Sequence, residues 1–95
     1  MLTSKQRARL RALAHDMEPI LHIGKGGISE NTVMQAEEAL TARELIKGSC
    51  LETSPVSAVE AMEMLAERTG AEGIASIGRR FILYRKNPKQ PKISL

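Results

Sequence analysis

Apolar residues along the chain switch between a period near 3.6 and a period near 2, and the switches divide it into seven elements. Leu10, Leu13, Ala14 and Met17 recur at helical spacing and predict a helix over residues 3–17. Thr3 and Gln6 have capping-box spacing at its start, and Pro19 stops it. Ile20-Leu21-His22-Ile23 predicts a short strand, broken by Gly24-Lys25-Gly26-Gly27. Ser29 suits the N-cap of a second helix of about fourteen residues. Ile28 and Val33 hold its staple positions, Val33, Ala36 and Leu40 form its core face, and Glu30, Glu37 and Glu38 face water. Residues 45–51 predict a second strand, in which Gly48 marks a bulge. Ser57 and Glu60 open a third helix whose buried face is Met62, Leu65 and Ala66, with Gly70 at its C′ position. Residues 72–77 and 80–85 predict two further strands joined by a two-residue turn at Gly78-Arg79.

The order α-β-α-β-α-β-β predicts an α/β fold with a parallel βαβ part and a closing hairpin, so the sheet is mixed. Residues 1–86 form one domain, and 87–95, with two prolines and two lysines, read as a flexible basic tail. The 95 residues leave room for one core, which excludes a large multi-domain enzyme. No apolar run reaches the ~20 residues of a spanning helix, so no membrane is implied. With one cysteine, Cys50, no internal disulfide can form, and the start of the chain lacks a secretory pattern; a cytoplasmic protein is expected.

Charge adds a polarity that the net value of +3 hides. Residues 1–25 carry +3, residues 26–78 carry −6, and residues 79–95 carry six basic residues and no acid. Two basic ends around an acidic middle suggest a polyanionic partner. If the fold joins those ends, the protein has one basic face. Phe81 and Tyr84 are the only aromatic residues, which argues against rows of aromatic stacking platforms.

Gly24-Lys25-Gly26-Gly27 stands between a strand and a helix start. Glycines allow positive φ and close approach of backbone to a ligand. Free N–H groups at the helix start favour an anion, and Lys25 adds charge. Together these suit a sugar-phosphate backbone, as the GxxG loop of KH domains does. A tight turn that needs glycine for geometry alone explains the string equally well. The Walker A spacing is missing, and the dinucleotide pattern would need glycine where Ser29 stands. Lys5, Arg7, Arg9 and Arg11 on the first helix, Arg79 and Arg80 at the hairpin, and the tail lysines are phosphate contacts or a solvated face. His15, His22 and Cys50 offer no metal-ligand spacing, and Cys50 lies in an apolar strand, where a thiol is usually inert. No enzyme activity, cofactor, metal or small-molecule substrate is expected.

Thr3-Ser4-Lys5-Gln6-Arg7, Leu13-Ala14-His15, Ile23-Gly24-Lys25-Gly26-Gly27-Ile28, Glu44-Leu45-Ile46-Lys47, Thr69-Gly70-Ala71, Ile77-Gly78 and Tyr84-Arg85 occur in the order of the CRM domain, the chloroplast RNA splicing and ribosome maturation domain. The chain resembles the bacterial stand-alone YhbY-like members over residues 2–86. The resemblance implies a four-stranded mixed sheet with three helices, similar to the C-terminal domain of translation initiation factor three. It also implies RNA binding without catalysis, and a link to precursors of the large ribosomal subunit. Its RNA contacts would fall on Gly24, Lys25, Gly26 and Gly27, supported by Lys5, Arg7 and Arg11, with Lys47 and Arg79 extending the surface. The chain departs from the family after Lys47, where Gly48-Ser49-Cys50 replaces alternating apolar and basic residues. The expected function is a ribosome assembly factor on large-subunit precursor rRNA in a pre-ribosomal particle. The alternatives are an adaptor that docks a basic ribosomal protein on its acidic helices, and an enzyme dependent on Cys50.

Overall fold

A computed structural model describes residues 2–95. The elements are α1 (Ser4–Ala14), β1 (Leu21–Ile23), α2 (Glu30–Arg43), β2 (Leu45–Cys50), α3 (Ala58–Thr69), β3 (Glu72–Ile77) and β4 (Arg80–Tyr84). The strands form one sheet in the order β1-β2-β4-β3, with β1 parallel to β2 and the other pairs antiparallel. The α/β class, the element order and the mixed sheet are those expected.

Local chemistry sets the helix boundaries. Capping boxes close α1 at Thr3 and Gln6, α2 at Ser29 and Thr32, and α3 at Ser57 and Glu60. The Glu60 carboxyl is held below its usual range by hydrogen bonds from the Ser57 backbone and side chain. Gly70 ends α3 at φ +73, the left-handed region that glycine enters without steric cost. α1 stops at Ala14, three residues short of the predicted end. Its following carbonyls, of His15 and Met17, accept hydrogen bonds from Lys47 Nζ at 3.1 and 3.3 Å. Leu13 points out and is 44% exposed, so α1 anchors through Leu10 and Ala14.

The sheet has two unequal faces. On one, Leu21, Ile23, Ile46, Cys50, Phe81 and Leu83 pack against Val33, Ala36 and Leu40 of α2 and Ala58, Ala61 and Leu65 of α3. Ile28 packs against this core beside Val33, as the staple positions require. In α3 the fully buried positions are Ala58, Ala61, Leu65 and Thr69, with Met62 and Ala66 at the margin. On the other face, Leu10 and Ala14 of α1 cover Leu45, Ile74, Ile82 and Tyr84.

Gly48 is not a bulge. It pairs with Phe81 across β2 and β4, and a Cβ there would overlap the Phe81 ring. The missing side chain is the seat of the largest buried residue in the core. The sheet's irregularity lies instead in β3, between Gly73 and Ala75.

Residues 87–95 have no helix or strand, but they touch the domain at defined points. The Glu44 carboxylate, fully buried, accepts from the N–H of Asn87 at 2.6 Å, of Lys92 at 2.6 Å and of Ile93 at 2.8 Å. Ile93 packs at the margin of the core under α1. Glu44 itself holds φ +65, which a side-chain-bearing residue adopts at a cost of about 1–3 kcal/mol. Its N–H bonds to Leu40, its carbonyl accepts from Arg85, and its carboxylate gathers the tail, so the position is fixed from all sides.

Candidate nucleic-acid interface

The directions of the strands decide which loops share an end. β1 and β2 run toward Gly24 and Leu51, and β4 and β3 meet at Gly78-Arg79. The 24–27 loop, the 51–57 connection and the hairpin tip therefore cluster at one end of the sheet. Backbone bonds tie them there: Leu51 N–H to Ile23 at 2.8 Å, and Cys50 N–H to Arg79 at 2.8 Å. Glu44 and the tail lie at the opposite end. The two basic ends of the chain are thus only partly united: Arg79 and Arg80 join the glycine loop, while residues 87–95 do not.

The glycine loop is a turn closed by Gly27 N–H to the Gly24 carbonyl at 3.0 Å, with Lys25 and Gly26 exposed at its tip. Its glycines differ in what they do for the fold. Gly27 has φ +65, and a Cβ there would press Pro55 at 3.2 Å, so turn geometry requires it. Gly24 and Gly26 have no such need: neither has positive φ, a Cβ at Gly24 would make ordinary contact with Leu51, and one at Gly26 would meet nothing. Gly26 is exposed and Gly24 half-buried on either side of Lys25, which has no salt bridge or hydrogen-bonded partner among the described residues. The first turn of α2 carries Glu30, which pairs with Arg68 at 2.7 Å, so the helix start is less electropositive than the loop alone would suggest.

The other expected basic residues divide into two groups. Lys5 and Arg11 are exposed on α1, and with Arg9 they form an outward cationic face. Arg79 is exposed at the hairpin tip in a loose, 3.6 Å pair with Glu52. Such exposed pairs contribute little and release readily. Arg7 and Lys47 are structural. Arg7 bonds Glu72 at 3.2 Å and the carbonyls of Gly73 and Ile74 at 2.7 and 3.4 Å, beside the irregularity in the edge strand β3. Lys47 is buried beneath the end of α1 and donates to the two carbonyls already described. The expectation that Lys47 extends an open RNA face is corrected: its ammonium is turned inward to satisfy backbone oxygens that α1 leaves unpaired. The same side of the sheet instead offers Arg80, exposed and without a bonded partner among the described residues.

Sequence reasoning missed two ties. Arg85 bonds Glu37 at 2.9 Å, the Thr69 carbonyl at 2.7 Å and Thr41 at 3.0 Å, joining the ends of α2 and α3. Glu44 was visible only as part of a motif. Burial would raise its carboxyl, but the N–H donors of Asn87, Lys92 and Ile93 and the Lys92 charge outweigh that and hold it below 4.5. Tyr84 shifts upward through burial and the nearby Glu44 charge. The acidic helices are partly engaged as well, through Glu30 with Arg68 and Glu37 with Arg85. Cys50 is buried in the core, and no three His, Cys, Asp or Glu side chains among the described residues gather as a metal site.

The chain is similar to known proteins in sequence and in fold. Probable RNA-binding protein YqeI of Bacillus subtilis is 38% identical over the whole chain and 99% of its own length. A protein of Haemophilus influenzae named RNA-binding protein is 30% identical, covering 99% of this chain and 94% of its own. The solution structure of SAV1595 from Staphylococcus aureus superposes with a TM-score of 0.83 at 42% identity, over 100% of this chain and 99% of that one. The CRS1 / YhbY (CRM) domain model matches residues 2–85, nearly the whole of the sheet and helices just described. The chain therefore belongs to the CRS1/YhbY (CRM) domain family.

Proposed function

We propose that this protein binds RNA and acts as a ribosome assembly factor on precursor rRNA of the large subunit. The observation that carries the reading is the 24–27 loop. Two of its three glycines serve neither φ nor packing, so the bare backbone beside Lys25 is explained by close approach of a partner. A sugar-phosphate chain fits: N–H groups and one flexible ammonium contact phosphates without reading sequence. Lys5, Arg11 and Arg79 extend the attraction. The names of the relatives support RNA as the polyanion, and the family resemblance supports the ribosomal precursor.

The test is binding to large-subunit rRNA fragments across a salt series. The affinity is expected to fall steeply with salt, because neutralised phosphates release counterions. Gly24→Asp combined with Lys25→Glu should abolish most of the binding while leaving the fold intact. Affinity that is flat with salt, or that survives the double substitution, overturns the loop assignment. Co-purification with large-subunit precursors, rather than mature subunits or small-subunit particles, tests the ribosomal part.

A further inference from the structure

The face under α1 is only half covered. α1 lies across β3, β4 and β2 over Leu45, Ile74, Ile82 and Tyr84, and leaves the end of the sheet nearest the glycine loop open. One register row crosses all four strands in that open part: His22 pairs with Ser49, Ser49 with Arg80, and Arg80 with Ile77. Residues paired across a sheet point to the same face, and neighbouring strands are about 4.8 Å apart, so the row forms a ledge about 14 Å long. His22, Arg80 and Ile77 are exposed, Ile77 at 63%, and Ser49 is half-buried. Between the ledge and the end of α1 is a cavity of about 200 Å³ lined by His15, Lys47, Ile77, Arg80 and Ile82.

We propose that this ledge seats one or two unpaired RNA bases, while the phosphates of the same strand run onto the 24–27 loop. The inference rests on the RNA-binding reading above and adds a second, base-contacting surface to it. Four features carry it. The chemistry is mixed as a base requires: the exposed Ile77 offers an apolar platform, and the Arg80 guanidinium offers a plane for stacking with donors at its edge. The charge is complementary to an anionic chain, since no acidic side chain lines the cavity. Arg80, His15 and His22 make no side-chain hydrogen bond among the described residues, so their polar groups are free for a ligand. The ledge is also continuous with the loop: His22 precedes Gly24 by two strand residues, about 7 Å. Phe81 and Tyr84 are both buried in the cores, so stacking on this protein must use arginine, histidine and aliphatic side chains.

The proposal distinguishes unpaired from paired RNA, because a base inside a duplex is stacked on both faces and has none to offer a protein surface. The test uses the isotope-labelled full chain titrated with a short oligouridylate, a blunt RNA duplex and, as an anion of different chemistry, polyglutamate. With oligouridylate, the amides of His22, Ser49, Ile77 and Arg80 are expected to shift together with those of the 24–27 loop. With the duplex, the loop and α1 should shift while the ledge stays silent. Ile77→Ser, at an exposed edge position, should weaken oligouridylate binding about fivefold without changing its salt slope, since an apolar platform is lost and no charge. Arg80→Ser should weaken it more and reduce the slope. If oligouridylate moves the loop and α1 but not the ledge, the base site is wrong and RNA binding stands. If neither RNA moves any amide, both readings fall. If polyglutamate moves the ledge as strongly as oligouridylate, the surface recognises charge alone and the base site is overturned.

Discussion

Beneath α2 and α3 the sheet presents Ile46, Gly48, Cys50, Phe81 and Leu83, and two helices seal them completely. Beneath α1 it presents Leu45, Lys47, Ile82 and Tyr84, then breaks out into the open at Ser49, Arg80, His22 and Ile77. The first face is a core of aliphatic side chains around one aromatic ring, with no charge inside. The second is covered by a single short helix whose trailing carbonyls accept from Lys47 of the sheet. The difference teaches how the same residue types acquire different roles. Basic side chains under or beside α1 close backbone accounts, as Lys47 and Arg7 do. Basic side chains beyond its end, Arg80, Arg79 and Lys25, have no such duty and remain available to a partner.

The sharpest way to break the sealed face is at Gly48. Gly48→Val places a branched side chain where the Phe81 ring lies, and the expected loss is about 3 kcal/mol or more, read as a lower urea midpoint. Combining Gly48→Ala with Phe81→Leu should recover part of the stability lost in Gly48→Ala alone; no recovery would show that ring overlap is not the cause.

Next in size is the strap at the opposite end from the loop. Glu44→Gln weakens three hydrogen bonds to a buried carboxylate, and about 2 kcal/mol of tail docking should be lost. The readout is faster proteolysis and amide exchange within residues 87–95. Acid should do the same to the wild-type protein. The folded Glu44 pKa is depressed, so its stabilisation is fully present above the ordinary value of 4.5 and is lost as pH falls through the lower folded value. Release of the tail on raising the pH from neutral, while the rest of the fold persists, would contradict the linkage.

Lys47→Met tests the structural role of an inward-turned ammonium. It removes the donor to the His15 and Met17 carbonyls, and an expected destabilisation of about 1–2 kcal/mol should appear with looser amide exchange at the end of α1. The smallest effect belongs to the free basic residues. Lys25→Ala should leave the denaturation midpoint within about 0.5 kcal/mol of the original. It should nevertheless lower the slope of log affinity against log salt by about one for RNA. A variant that loses stability as much as Lys47→Met would remove the distinction between the two groups.

The elements were legible because their signals are local. Two capping boxes, the N-cap Ser29, the turn glycines Gly70 and Gly78 and the alternating apolar strands each depend on residues within a few positions of one another. Gly78 has φ +60, while Arg79 does not share the positive sign, the pattern of the predicted turn with glycine first. The glycine loop was legible too, but not the division of labour inside it. Whether a glycine is needed depends on what a Cβ would strike, and at Gly27 that is Pro55, 28 positions later.

The chain's own pattern therefore determined the order of elements, their boundaries to within a few residues, and the string that identifies the candidate loop. Tertiary structure alone decided the roles of Gly48, Lys47 and Glu44. Local pattern makes Gly48 a defect, and the fold makes it a seat for Phe81. Local pattern makes Lys47 an outward contact, and the fold makes it an inward cap. The Glu44 carboxylate pairs with nothing nearby in sequence, yet it binds a tail more than forty residues away. The physical reason is common to all three. Hydrogen-bond caps and hydrophobic period act over one turn or one strand, whereas burial of a charge or the room for a ring depends on partners that only the packed chain brings within reach.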